Sequence, residues 1–217
     1  MEIHVPGNDN IGIINYEMGN LRSVQNALHY IGLSHIEIIS DPEKLSWANR
    51  IILPGVGAFE AAMAQLKKIG MVEALTYHVV HLRKPFLGIC LGMQLIAKTS
   101  REGGLHEGLG WIDADVLPLS EDTDMRVPHI GWNDVTRERQ SSILDGVDDL
   151  CDFYFVHGFH VKCHDPELPL LTCDYGCSVT AAVLKNNIFA TQFHPEKSQR
   201  NGLKLLENFA AWRPDLA

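Results

Sequence analysis

The sequence predicts an α/β fold of three layers, a mostly parallel central sheet flanked by helices with a smaller antiparallel extension, in a single domain over residues 1–217. Three observations predict it. Short apolar runs alternate with amphipathic segments through the first hundred residues, the signature of strand–helix–strand units. The apolar runs are bounded by turn residues and are too short for helices. After Ser100 the pattern changes to clustered glycines followed by short strand-like runs.

Ile11–Ile14 is an apolar run between Asn10 and Asn15 and reads as a buried strand. Tyr16-Glu17-Met18-Gly19-Asn20 is a turn. Leu21, Val24, Leu28 and Ile31 then recur at helical spacing, and Gly32 stops the helix. His35–Ile39 and Arg50–Leu53 read as strands, the latter ended by Pro54-Gly55. Ala58–Ile69 and Met71–Leu82 are helical by composition. Pro85–Ile89 is a fourth strand, and Leu91–Lys98 a helix. Phe153–Val156, Ser178–Leu184 and Ile188–Gln192 are strand-like, and Gly202–Trp212 closes the chain as a helix with Leu203, Leu206 and Phe209 in register.

Hydrophobic residues make up 46% and charged residues 21%, which excludes a disordered chain. Eighteen Lys and Arg against 27 Asp and Glu leave a formal charge of −9, which disfavours non-specific nucleic-acid binding. Met1–Asn10 has neither the basic nor the apolar region of a signal peptide, and no apolar stretch reaches the roughly 20 residues of a membrane span. A cytoplasmic protein is expected, with no nucleic-acid or membrane partner, its five cysteines reduced.

The chemistry centres on Gly88-Ile89-Cys90-Leu91-Gly92, at a strand–helix junction. Glycines two residues either side of a nucleophile are the mark of a nucleophile elbow, here with sulfur in place of oxygen. The turn needs small flanking residues and lifts the side chain above the C-terminal end of the sheet, at a helix N-terminus that favours thiolate. Most cysteines are small core residues, but this setting is specific. A thiolate needs a base and a group to orient it. Gln192-Phe193-His194-Pro195-Glu196 supplies both, with His194 just after a strand and Glu196 two residues on. An oxyanion donor is expected at the Leu91 N–H, and a second in Pro54-Gly55-Val56-Gly57, whose glycines permit close backbone approach. That segment alone could equally be a plain glycine turn.

These residues resemble the class I glutamine amidotransferases, and within them the glutaminase subunit of imidazole glycerol phosphate synthase. The matching segments are Tyr16 through Ser23, Leu53 through Phe59, Pro85 through Gln94, Pro128-His129-Ile130-Gly131-Trp132-Asn133, Tyr154-Phe155-Val156-His157, and Gln192 through Ser198. They run in the family's order from about Ile11 to Phe209. The resemblance implies that Cys90 attacks the side-chain amide of L-glutamine, with His194 as base and then acid and Glu196 orienting it. Gly57 and Leu91 would supply oxyanion N–H groups, and Gly55, Gln94, Gly158 and Phe159 would hold the glutamine. Tyr154 and Lys197 match positions near the mouth of the ammonia path. Arg22 could be a solvated helix residue, but the resemblance favours a place near the subunit interface; Trp132 is either an ordinary strand aromatic or a partner-facing anchor. The implied partner is a (β/α)8-barrel cyclase subunit in a heterodimer. No cofactor or metal is implied.

Two features depart from the family pattern. His157 is usually followed by Ser or Thr and then Tyr; here Gly158-Phe159 follow. Met1–Asn10 exceed the usual start. Gly110-Trp111-Ile112-Asp113-Ala114 is similar to paralogues that feed ammonia to a sugar amidotransferase in surface-polysaccharide synthesis, which is the alternative product pathway. A non-catalytic activating subunit is the alternative of another class, against which Cys90, His194 and Glu196 all stand intact. Cys173 and Cys177 lie four apart near three histidines, but the spacing is not a usual zinc pattern, and Tyr175-Gly176 reads as a turn. Finally, Gly55 and Gly57 could let the oxyanion segment adopt two backbone states, so that a partner would raise turnover by shifting between them.

Overall fold

The computed structural model describes residues 9–119, 124–149 and 151–214. Most of the expected N-terminal extension therefore lies outside the described residues. Among them, nine strands form one sheet and four form a second.

The chain starts with β1 (Ile11–Ile14), helix α1 (Leu21–Tyr30) and β2 (Ile36–Ile39). Asn20 caps α1, its side chain accepting from the Ser23 N–H at 3.3 Å. Next come β3 (Arg50–Gly55), helices α2 (Phe59–Lys68) and α3 (Met71–Thr76), β4 (Phe86–Cys90) and the short helix α4 (Leu91–Leu95). The second half contributes β5 (Thr99–Ser100), β6 (His106–Glu107), β7 (Ala114–Pro118), β8 (His129–Arg137), β9 (Cys151–His157), β10 (Phe159–Cys163), β11 (Pro169–Asp174), β12 (Ser178–Lys185) and β13 (Ile188–Thr191). Helix α5 (Gln199–Ala211) ends it.

The large sheet runs β2-β1-β3-β4-β13-β12-β11-β8-β9. Pairing is parallel from β2 to β13 and antiparallel from β13 to β9. The antiparallel part thus belongs to the central sheet and contributes as many pairings as the parallel part. The small sheet, β10-β7-β5-β6, stands apart.

Strand periodicity makes the layers. In the parallel part Ile13, Ile52, Leu87 and Phe189 face one core with Val24 and Leu28 of α1 and Leu205 and Phe209 of α5. Their neighbours Ile14, Leu53, Phe86 and Ala190 face the other core with Phe59, Met63 and Leu66 of α2. Because both faces are covered, these strands are almost wholly apolar, with Arg50 and Thr191 at their ends, which is why they were legible in the sequence.

Several boundaries differ from expectation, among them the start of the last helix, at Gln199 rather than Gly202, and three differ nearer the centre of the fold. Pro54 and Gly55 do not end β3 but continue it, in register with Ile89 and Cys90. Helix α3 stops at Thr76 and passes into a π-helical turn over Tyr77–His81. The helix expected to reach Lys98 stops at Leu95, because the carbonyls of Leu95, Ile96 and Ala97 accept from the N–H groups of Leu109, Trp111 and Gly110.

Candidate active site

Cys90 is the last residue of β4 and precedes α4. Its backbone sits at φ +54°, ψ −108°, a region L-residues avoid at a cost of about 1–3 kcal/mol. The flanking glycines are demanded by packing. A Cβ at Gly92 would collide with the Leu53 carbonyl oxygen, and one at Gly88 would lie 2.8 Å from the Gly92 oxygen. Gly55 pairs with Cys90 across the β3–β4 ladder, and a Cβ there would strike the Tyr16 hydroxyl. Gly57 has φ +108°, which favours glycine.

His194 follows β13, and Glu196 lies in the 3-10 turn Pro195–Lys197. The imidazole Nδ1 bonds the Glu196 Oε1 at 2.8 Å, and both side chains are almost fully buried. Nε2 is then the nitrogen left toward the thiol; it is buried and makes no aligned hydrogen bond. Burial by itself would lower the His194 pKa, but interaction with Cys90 and Glu196 outweighs it and raises the group to about 10. The protonated imidazole is the state this environment favours.

Cys90, Leu91, Gly57, Gln94, Gly158 and Phe159 line one hollow of about 310 Å³. The structure therefore gathers in one place six residues drawn from three separate stretches of chain. A larger hollow of about 710 Å³ opens between α1 and α5 beside Tyr30 and Arg200. It contains none of the candidate residues; Cys90 lines the smaller one.

A second grouping lies beside His194. Trp132 and Tyr154 are cross-strand partners of β8 and β9, their rings edge-on with centroids 6.1 Å apart. The Lys197 Nζ stands 5.8 Å from the Tyr154 ring centre. Trp132 and its neighbour Ile130 are exposed large hydrophobics. Arg22 is exposed in the first turn of α1 and takes no part in these ring contacts.

Four residues were missed by sequence reasoning. Glu102 lines the hollow, and its Oε2 accepts from the Phe59 N–H at 2.7 Å, capping α2. Gln192 is fully buried, and its Nε2 reaches the Cys90 Sγ at 3.7 Å. His129 and His157 are buried and joined, Nδ1 to Nε2, at 3.0 Å. The two histidines and Gln192 fall inside the matching segments, so their place in the motifs was visible, but no spacing rule ties them to the sulfur. Glu102 lies twelve residues beyond the nucleophile in a glycine-rich stretch that offers no local signal.

Residues 13–212 match the family described as glutamine amidotransferase class-I. The chain is 48% identical over 200 residues to the imidazole glycerol phosphate synthase subunit HisH 1 of Campylobacter jejuni, covering 92% of this chain and 98% of that one. It is 45% identical over 200 residues to the subunit HisH of Rhodopirellula baltica, covering 92% and 96%. Among solved structures it resembles a glutamine amidotransferase with a TM-score of 0.73 at 19% identity, over 93% of this chain and 98% of the other. The structure of PurLQS from Thermotoga maritima gives 0.73 at 18% identity, over 93% and 97%.

Proposed function

The chain belongs to the class-I glutamine amidotransferases, and from that premise we propose that it is the glutaminase subunit of an imidazole glycerol phosphate synthase. It hydrolyses L-glutamine to glutamate and passes the ammonia to a (β/α)8-barrel cyclase subunit. The observation that carries the reading is the Cys90–His194–Glu196 set, held beside a hollow that its nucleophile lines.

The Cys90 thiolate adds to the glutamine δ-carbon, and the carbonyl π electrons move to oxygen. In this reading the N–H groups of Leu91 and Gly57, residues that line the hollow, receive that oxyanion. Protonated His194 gives its Nε2 proton to the amide nitrogen, the C–N bond breaks, and ammonia leaves a γ-glutamyl thioester. His194, now neutral, takes a proton from water as the water oxygen attacks the thioester carbon. The C–S bond breaks, the thiolate–imidazolium pair is regenerated, and the new γ-carboxylic acid gives its proton to solvent to leave glutamate. Glu196 fixes the ring so that Nε2 serves both transfers.

Glutamine is a zwitterion, and Glu102 is the carboxylate that lines the hollow. Its charge suits the substrate's α-ammonium, with Gln94 and the backbone of Gly158 and Phe159 completing the site. Because Gly158 and Phe159 line the hollow, the loss of a hydroxyl at 158 leaves their backbone groups in place. The Trp132–Tyr154–Lys197 grouping with exposed Ile130 suits the partner-facing side of the ammonia exit. Among the described residues no helix is long and apolar enough to cross a membrane.

The test is glutamine-dependent formation of imidazole glycerol phosphate by the purified chain with a cyclase subunit. Glutamate release accompanied by cyclase product is the expected result. Glutamate release without cyclase binding would reject the pathway and leave the chemistry. No glutamate release with the cyclase bound would reject both.

A further inference from the structure

A continuous run of hydrogen bonds reaches the nucleophile from the antiparallel half of the sheet. It can be oriented donor by donor. The Phe159 carbonyl can only accept, so the His157 Nδ1 2.9 Å away carries a proton. Burial holds His157 neutral, with its pKa lowered to about 3, so its Nε2 has no proton and accepts from the His129 Nδ1. His129 is also kept neutral by burial, and its Nε2 accepts from the Asn133 Nδ2 at 3.4 Å. The His129 ring is clamped between Phe155 and Tyr175, with centroids 4.7 and 3.9 Å away.

The same Phe159 carbonyl accepts from the Gln94 Nε2 at 3.0 Å, which fixes which way the Gln94 amide faces. Gln94 Nε2 also donates to the Gln192 Oε1 at 3.1 Å. Gln192 is thereby oriented in turn: its oxygen is taken by Gln94, so its Nε2 is the end presented to the Cys90 Sγ at 3.7 Å. A thiol sulfur is a weak acceptor, whereas a thiolate accepts well. A buried amide N–H aimed at sulfur and unable to turn away therefore favours the ionised form.

Resting on the glutaminase reading, we propose that Gln192 is a further catalytic residue, whose amide donates to the Cys90 sulfur and favours the thiolate that attacks glutamine. Gln94, the Phe159 carbonyl and the His157–His129 pair are positioning groups that keep the amide from turning over. His194 holds the proton, and Gln192 holds the charge it leaves behind.

The experiment is alkylation of Cys90 by iodoacetamide as a function of pH, read on the Cys90 peptide by mass spectrometry so that the other four cysteines do not contribute. In Gln192→Met the alkylation midpoint should move up by about one pH unit, a tenfold change in the ratio of thiolate to thiol at a given pH. Glutamate release at neutral pH should fall about tenfold in kcat, with KM changed by less than about twofold. Gln192→Glu keeps the shape of the side chain and should shift the midpoint at least as far, because a carboxylate repels a second negative charge. A wild-type alkylation profile in either folded variant overturns the proposal. Wild-type protein that is alkylated at Cys90 with the expected pH dependence but releases no glutamate would overturn the glutaminase reading and leave this one standing.

Discussion

The His194 backbone N–H donates to the Tyr154 carbonyl at 2.9 Å, joining the turn after β13 to β9. In the hydrogen-bonded order of the sheet these strands are four places apart. The antiparallel half must therefore curl back over the parallel half, and Phe153 stacks on Phe193 with centroids 4.0 Å apart where they meet. The Ser198 hydroxyl pins the junction, accepting from the Tyr154 N–H and donating to the His194 carbonyl. This closure places Val156, Gly158 and Phe159 against the nucleophile.

Cys90→Ala should abolish glutamine-dependent synthesis and leave folding and partner binding intact, since the thiolate is the elbow's nucleophile. Ammonium salts should restore the partner's reaction. Wild-type glutamate release by this variant would eliminate the mechanism.

His194→Ala should lower kcat by about 10²–10⁴-fold, the range for removal of a general acid–base. Glu196→Gln should lose less, because the amide oxygen still accepts from Nδ1 while the stabilising charge is gone. Effects of residues acting as a unit are not additive, so the double variant should be little worse than His194→Ala. Steady-state glutamate release with the partner present decides this.

Glu102→Gln should raise KM for glutamine about 10–100-fold with little change in kcat, the loss expected for a hydrogen bond to a charged group. The amide keeps an oxygen for the Phe59 N–H, so the cap on α2 survives. An unchanged KM would remove Glu102 from the substrate site.

Stability should form a dome in pH. The folded-state pKa values of His157 and His129, lowered to about 3 and about 4, lie below the unfolded value near 6.5. The unfolded chain therefore binds protons first as pH falls, and stability is lost progressively from about pH 6.5 downward. His194 has the opposite sign: its pKa is raised to about 10, so its contribution is full below about 6.5 and fades as pH rises toward 10. Urea midpoints between pH 4 and 10 test both limbs. His129→Asn, which keeps a donor toward His157, should flatten the acid limb; an acid limb as steep as the wild type's would refute the assignment.

Trp132→Ala should weaken the complex with the cyclase subunit by about 30-fold or more if the exposed ring is an interface anchor. Turnover by the lone subunit should be low and should rise with partner and its ligand. Titration of glutamate release against partner measures both. A lone subunit as fast as the complex would discard partner control and spare the glutaminase.

The sequence by itself determined the parallel strands, the elbow at Cys90 and the His194-Pro195-Glu196 turn. Each is a local pattern: an apolar run buried on both faces, two glycines forced by a sharp turn, an imidazole and the carboxylate it bonds two residues apart. What surrounds them only the tertiary structure decided. Gln192 meets Cys90 across 102 positions and Gln94 meets the Phe159 carbonyl across 65. Glu102 reaches Phe59 across 43. The His129–His157 pair depends on the β8–β9 register, and the closure of the hollow on the curl of the antiparallel half. Such contacts are fixed by how strands pair and how a sheet bends. They leave no periodic trace along the chain, because a buried amide or imidazole is chosen for its distant partner rather than for its neighbours in sequence.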